Sequence, residues 1–422
     1  MARPGYQLFS TWSTIGRRFA PGQHRHHHHY FPDVRRGFSV LGIESSCDDS
    51  AIAVLNHHGT VLHHARLSQN KLHVEHGGIH PSVAYKAHLV NLPHLLSNIP
   101  IELKFDAVAV TRGPGLPGSL TVGISAAKAV AAMKRVPIYA THHMESHLLT
   151  CRIPDINLES MCCPQSASFM ELNASTPEFP FLALLVSGGH TLLVLCHSLS
   201  RYTILGETLD DAVGEAFDKV ARELALDWTT SSPGQLVENL AFSFQQQASK
   251  EQLEEAIQLL PVPLVKPEWK SQIKFSFAGL KSAVRRHVQS QQEFLKSFTE
   301  DEQRQWKGLI CYAFQHTVAQ HISQKLSLAL QLSGCQDISR VVVSGGVASN
   351  KFIAQSIINT TAGYKKQVTI PKPDWCTDNA VMVAWSALER YNAGQLEGDG
   401  LGDWVQKPKW SLEDLNISGY TG

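Results

Sequence analysis

The sequence has no surplus of either charge: lysine plus arginine number 37, and aspartate plus glutamate number 37. A protein that binds polyanions over its whole surface carries an excess of cations, so histone-like and tail-bound proteins are excluded and any contact with nucleic acid has to be a local patch. Paired cysteines are also missing. The eight cysteines stand at Cys47, Cys151, Cys162, Cys163, Cys196, Cys311, Cys335 and Cys376, with no CxxC pair and none of the framework spacing of a small secreted domain; a reducing compartment fits this pattern. No apolar run approaches the roughly 18–20 residues that a membrane-spanning helix needs, because Gly, Ser or Lys interrupts the longest ones, so no membrane partner is expected. What the chain has is length. Its 422 residues exceed the roughly 100–200 typical of one domain, and two domains with appendages are expected.

Residues 1–36 differ from everything after them. Arg3, Arg17, Arg18, Arg25, Arg35 and Arg36 stand against a single acid, Asp33, and Leu8, Phe9, Trp12, Ile15 and Phe19 recur at helical spacing. A basic, acid-poor amphipathic helix is what a mitochondrial presequence requires, so 1–36 is read as a transit peptide and the matrix as the destination; a disordered basic tail is the plain alternative. The tract His26 to His29 is short and lies outside the folded part.

From Phe38 the pattern alternates between strands and helices. Ser39 to Ile43, Ser50 to Leu55 and Val61 to Ser68 read as a three-stranded meander, with the turn Asn56 to Gly59 inside it. Helical patterns follow at Tyr85 to Ser97 and Leu120 to Lys134, with strands at Ala107 to Thr111 and Pro137 to Ala140. A first domain spans 37–150. Residues 151–179 show no period and are rich in Ser, Pro and Asn, which suits an insertion or linker loop. The meander then repeats at Leu182 to Ser187, Thr191 to Leu195 and Tyr202 to Leu205, opening a second domain over 180–392 before a tail at 393–422. Two meander-plus-helix halves suggest an internal duplication with a ligand cleft between them.

Glycine-rich turns punctuate the strand ends. Val186 to Thr191 (VSGGHT) joins two strands, whereas Val343 to Asn350 (VSGGVASN) runs from a strand into a helix, and Arg112 to Ser119 (RGPGLPGS) leads into the Leu120 helix. Each exposes backbone N–H groups that can cradle phosphate, and the second adds the positive end of a helix. Taken singly, each is better explained as a tight turn. Their recurrence at comparable strand ends favours a ligand. Glu44 to Ser50 (ESSCDDS) adds an acidic, hydroxyl-bearing turn that can hold a metal–phosphate unit.

His143-Met144-Glu145-Ser146-His147 sets two histidines at i and i+4 on one helical face, where two imidazoles can meet one cation. In the HExxH of zinc proteases the carboxylate follows the first histidine directly; here Glu145 lies about 200° from His143 around the helix and points away, so a peptidase base is missing. Two ligands do not complete a site, and Asp378, at a predicted helix start, is the carboxylate best placed in the sequence to join them. The alternative is that a chain with 22 histidines produces the spacing by chance.

Taken together, LGIESSCDDSAIAV, TRGPGLPGSLTVGISAAK, HHMESH, LLVSGGHTLL, LGETLDDAVGEAFDKVAREL, KFSFAGLKSAV, VVVSGGVASN and CTDNAVMVA resemble, in order from Leu41 to about Tyr391, the universal tRNA threonylcarbamoyladenosine synthase family, and with the basic leader the mitochondrial branch. The resemblance implies an α/β fold of two RNase H-like domains of the actin, Hsp70 and sugar-kinase type, with a ligand cleft between them. It also implies transfer of a threonylcarbamoyl group from threonylcarbamoyl-adenylate to N6 of adenosine 37 in tRNAs reading codons that begin with A. The adenylate would come from a synthase of the YrdC/Sua type, and a homodimer is expected. By motif, one divalent metal ion per subunit, iron or zinc, would sit on His143, His147 and Asp378. Leu185, Val186, Ser187, Gly188 and Gly189 would line the phosphate and carbamoyl region. Asp218 would hold the ribose or nucleotide, Ser349 and Asn350 would reach the adenylate, and Gly234 and Glu238 match the end of a further nucleotide segment. The chain departs from the family pattern at Pro233, at Ser82 after Gly77-Gly78-Ile79-His80-Pro81, and at His142, where many members have Asn.

Kinases and chaperones of this fold remain as a second class, since fold does not fix function, and a metallopeptidase as a third. For tRNA, Lys281, Arg285 and Arg286 in the basic, aromatic-bearing segment Lys274 to Arg286 are expected to contact phosphate; Phe275 and Phe277 read more readily as core.

Overall fold

The structure, a computed structural model, describes residues 37–74, 78–154, 176–227, 231–395 and 404–415. The leader 1–36, most of the 151–179 loop, Gly77, Thr229, Thr230 and much of the tail lie outside the described residues.

The first sheet is built from β1 (Ser39–Glu44), β2 (Asp49–Asn56), β3 (Val61–Ser68), β4 (Ala107–Gly113) and β5 (Ile138–His142), interrupted by α1 (Asn70–Val74), α2 (Pro81–Ser97) and α3 (Pro117–Lys134) and followed by α4 (His143–Leu149). The second comprises β6 (Phe181–Val186), β7 (Thr191–Ser198), β8 (Arg201–Glu207), β9 (Arg340–Ser344) and β10 (Gln367–Thr369). Its helices are α5 (Val213–Glu223), α6 (Pro233–Gln247), α7 (Lys250–Gln258), α8 (Pro267–Lys270), α9 (Ala278–Leu295), α10 (Glu300–Leu330), α11 (Lys351–Ala362), α12 (Pro373–Cys376) and α13 (Ala380–Asn392).

The two sheets are topological copies. Each orders its strands third, second, first, fourth, fifth, with the first three antiparallel and the last two parallel to the first. This is the RNase H-like order twice over, and the expected α/β two-domain class is what forms. In such sheets the ligand end lies at the carboxyl ends of the parallel strands.

Hydrophobic alternation explains the layering. Leu41, Ile43, Val108 and Val110 face α2 and α3, while Val40, Ala107 and Ala109, from the same strands, face Ala380 to Leu388 of α13. Edge strand β3 instead alternates between half-buried and exposed positions. Chain order counts α13 with the second half, but packing lays it on the first sheet. Gly42 makes that approach feasible, because a Cβ there would sit 2.4 Å from the Ala380 carbonyl oxygen. Helix α4 turns Met144 and Leu148 onto the second sheet, among Phe181, Leu185 and Tyr202.

Candidate metal centre and nucleotide turns

Helix α4 starts immediately after β5, at the ligand end of the first sheet, and its start is capped by a side chain. His142 Nδ1 accepts hydrogen bonds from the backbone N–H groups of Met144 and Glu145. The ring must therefore carry its proton on Nε2, which donates to the Trp410 carbonyl at 3.1 Å. Burial pulls the His142 pKa down to about 3, keeping the ring neutral and able to accept. With α4 so anchored, one helical turn brings the His143 and His147 rings together at 4.7 Å between centroids.

Asp378 reaches them from the segment between α12 and α13. Asn379 caps α13 by accepting from Met382 N at 2.9 Å, which fixes the residue before it. Asp378 Oδ1 lies 3.0 Å from His147 Nε2 and 3.5 Å from His143 Nε2. One ligand atom from each of the three residues falls within 4.8 Å of the others. The sequence-derived trio is thus brought together, with both histidines offering the same ring nitrogen.

The surroundings fit a cation. Glu44, fully buried at the end of β1, holds His143 Nδ1 at 3.1 Å and is itself fixed by Ser46 N and Thr111 Oγ1. This is the carboxylate–histidine arrangement that orients metal-binding imidazoles. Burial opposes charging His143, but the Glu44 and Asp378 carboxylates on either side overcome it and push its pKa up to about 10. Burial likewise works against Asp378 ionising, and His143 with His147 holds it well below the usual carboxylate range. A deprotonated carboxylate beside two imidazoles is a donor set for a borderline divalent ion, and such an ion would displace the His143 proton. His147 Nδ1 is buried without a hydrogen-bond partner. Ser46 Oγ also lies near His143, 3.2 Å from Nδ1. Because Glu44 and Ser46 share one nitrogen, His143 cannot relay a proton between them, and this is no nucleophile triad.

The glycine turn that holds His190 lies near the same ligands. A Cβ at Gly188 or Gly189 would meet nothing within 4 Å, so these residues leave room for a ligand against bare backbone. By contrast Gly345, at φ 97°, is required where it stands, since a Cβ would strike the Val186 carbonyl. His190, in the same turn, is pulled down to about 4 by burial and by the nearby His143 and His147.

A family profile described as tRNA N6-adenosine threonylcarbamoyltransferase (TsaD) matches residues 60–171 and 165–385. The chain belongs to the tRNA N6-adenosine threonylcarbamoyltransferase family. Relatives include the "Probable tRNA N6-adenosine threonylcarbamoyltransferase, mitochondrial" of Arabidopsis thaliana, 37% identical over 92% of this chain and 78% of that protein. The Nitrosospira multiformis enzyme of the same name is 35% identical over 90% of this chain and 98% of its own length. Among solved structures, the activator of 2-hydroxyisocaproyl-CoA dehydratase from Clostridium difficile with bound ADPNP is 13% identical at a TM-score of 0.44, covering 85% of this chain and 97% of that one.

The other residues expected from the family resemblance take these places. Leu185 and Val186 end β6 as fully buried residues, and Ser187 closes the turn by accepting from His190 N. Asp218, on α5, is pushed up to about 7 by burial and by Asp48, with Arg222 opposing. Asp49 is likewise pushed up to about 7 by burial, Asp48 and Asp378, with Arg66 opposing. Asn350 is buried; its oxygen caps α11 at Ile353 N and its amide donates to Gln315. Ser349 Oγ donates to the Gly346 carbonyl. Glu238 accepts from Lys351 N, while Gly234 follows Pro233, the first residue of α6. Lys281 is half-buried and Arg285 and Arg286 are exposed on α9, whereas Phe275 and Phe277 are fully buried core residues.

Sequence reasoning missed the supports. Glu145 is fully buried; its carboxylate accepts from Tyr202 Oη at 2.8 Å and from Arg390 Nη2 at 2.7 Å. Arg152 pairs with Glu389 at 2.8 Å. Adjacent residues of α13 thus grip the ligand helix and its extension with opposite polarity. Only the pattern of a charge inside an otherwise apolar helix hinted at this.

Proposed function

We propose that this enzyme transfers the threonylcarbamoyl group from threonylcarbamoyl-adenylate to N6 of adenosine 37 in mitochondrial tRNAs reading codons that begin with A. The convergence of buried His143 and His147 with half-buried Asp378, beside the open Gly188–Gly189 turn, is the observation that carries the reading. An iron or zinc ion held there would polarise the carbamoyl and phosphate oxygens. The chain's own residues do the rest. The Gly188–Gly189 backbone faces the phosphate of the leaving AMP, Asp218 takes the ribose hydroxyls, and Gly234, Glu238, Ser349 and Asn350 border the nucleotide.

In the transfer, N6 attacks the carbamoyl carbon, the C–O bond to AMP breaks, AMP leaves as the anion and the N6 proton passes to solvent. An exocyclic amine is a weak nucleophile, so alignment supplies much of the acceleration. No covalent enzyme intermediate is needed. Burial pushes the Cys47 thiol well above its usual range and the Cys376 thiol up to about 12, so neither supplies a thiolate at neutral pH. A peptidase role is disfavoured because Glu145 is locked between Tyr202 and Arg390 rather than facing the ligand set.

The leader composition, together with the name of the Arabidopsis relative, supports a mitochondrial matrix location with residues 1–36 removed. A separate synthase of the YrdC/Sua type supplies the adenylate, and the active form is a homodimer. Mass analysis of mitochondrial tRNA nucleosides after loss of this protein tests the reading: threonylcarbamoyladenosine should vanish, and its persistence at normal level would refute the assignment.

A further inference from the structure

A chain with no net charge must concentrate the cations that meet RNA, and one surface does so. From Ala107 through Met144 the sequence contains no aspartate or glutamate, yet it carries Arg112, Lys128, Lys134 and Arg135. The same holds for 404–412, which adds Lys407 and Lys409. The fold lays these two acid-free stretches against each other. Lys407 N donates to the Arg112 carbonyl at 2.8 Å and Gly115 N to the Pro408 carbonyl at 3.2 Å. Arg112 Nε reaches the Val405 carbonyl at 2.8 Å and Lys128 Nζ the Trp404 carbonyl at 2.9 Å.

Two tryptophans order the cations. The Arg112 guanidinium lies 5.3 Å from the Trp404 ring centroid and 5.9 Å from that of Trp410, Lys128 Nζ 4.7 Å from Trp404, and Lys407 Nζ 4.4 Å from Trp410. Cations held over ring faces have fewer rotamers to lose on binding a phosphate, while Lys407 and Lys409 stay exposed. Among the described residues, Arg112, Lys407 and Lys409 have no carboxylate ion-pair partner.

The position is as telling as the charge. Arg112 is the next-to-last residue of β4 and His142 ends β5, both at the carboxyl edge that carries the metal ligands. The Trp410 ring lies against His142, 4.7 Å between centroids, one residue from His143. The loop after Arg112 also reaches Ser46, beside His143, with Leu116 N donating to the Ser46 carbonyl at 2.8 Å.

We propose that β4, α3 and the 404–410 strap form the phosphate-binding platform on which the RNA substrate docks, with Arg112, Lys128, Lys407 and Lys409 contacting the backbone next to the splayed adenine. The proposal rests on the tRNA reading of the site and adds where the strand lies; the α9 cations Lys281, Arg285 and Arg286 are the competing surface. Recognition here is of phosphate, because Arg112, Lys128 and Lys407 lie over the Trp404 and Trp410 rings and present charge to the strand.

The test measures binding of an unmodified transcript of a tRNA carrying adenosine 37 to the full chain at several KCl concentrations. Each lost phosphate contact flattens the log–log salt dependence by about 0.7–0.9. Lys407→Gln/Lys409→Gln, at exposed positions that leave the core intact, should lower affinity about tenfold near 0.1 M salt and reduce the slope by about 1.5, and Lys407→Arg/Lys409→Arg should restore both. A double glutamine variant with parental affinity and slope overturns the platform, as does a slope lost only in the Lys281→Gln/Arg285→Gln/Arg286→Gln variant. A parent that binds the transcript with the expected slope but transfers nothing would instead sink the reaction assignment and leave the platform standing.

Discussion

Replacing Arg390 by Met removes the guanidinium that neutralises Glu145 and leaves a fully buried carboxylate that still accepts from the Tyr202 hydroxyl. Breaking one side of a buried pair costs about 3–5 kcal/mol, because the orphaned charge keeps its desolvation penalty. The Arg390 side chain is 17% exposed, so water can reach the gap and the lower end, about 3 kcal/mol, is expected. The double variant Glu145→Gln/Arg390→Met keeps an acceptor for Tyr202 without the charge and should recover most of that loss. Zn2+ affinity gives an independent reading. Glu145 sits between the two histidines and Arg390 sits on the helix that follows Asp378, so Arg390→Met should weaken Zn2+ binding about 10–100-fold, the usual cost of losing a ligand's support. Thermal denaturation of the metal-free chain and chelator competition measure the two effects. A single variant as stable as the parent, with unchanged Zn2+ affinity, would refute the claim that α13 locks the ligand helix.

The capping role of His142 makes His142→Ala lose about 1 kcal/mol, while His142→Asn, a good cap, stays near the parent in thermal melts. Asp218 has a folded pKa of about 7, above its unfolded value of about 3.9. The folded state therefore keeps a proton that the unfolded chain releases between about pH 4 and 7, and Asp218 costs stability as pH rises through that window. Asp218→Asn should stabilise by on the order of 2–4 kcal/mol at pH 8 and by little at pH 4 in denaturation experiments, while lowering adenylate affinity. Zn2+ at about 100 times its dissociation constant should stabilise the parent by roughly 2.7 kcal/mol and leave His143→Ala/His147→Ala unmoved in the same melts. Gly42→Ala should destabilise strongly, since its Cβ meets the Ala380 carbonyl at 2.4 Å, and should reduce Zn2+ occupancy along with stability.

Much of this architecture is legible in the chain because its determinants are local. Period-two runs mark both meanders, and the HxxxH spacing places two imidazoles on one face whatever surrounds them. Helical periodicity begins at Tyr85 and Leu120, whereas α2 and α3 open earlier, at Pro81 and Pro117, because proline suits the first helical position. What stayed hidden depends on contacts between distant segments. Glu44 orients His143 across 99 positions and Arg390 grips Glu145 across 245, and no spacing rule encodes either. The 404–410 strap reads as a polar tail until its cations are seen against Trp404 and Trp410. His142 departs from an Asn pattern in the sequence; in the fold it caps α4 with a ring nitrogen.

The central claim, metal-assisted transfer at His143, His147 and Asp378, is tested most directly by giving the purified chain threonylcarbamoyl-adenylate and an unmodified tRNA transcript, then measuring threonylcarbamoyladenosine by mass spectrometry beside bound metal. The parent should form the modified nucleoside with about one ion per chain, and His143→Ala/His147→Ala, still folded, should hold no ion and form none. A metal-free double variant that modifies adenosine at the parental rate would contradict the account.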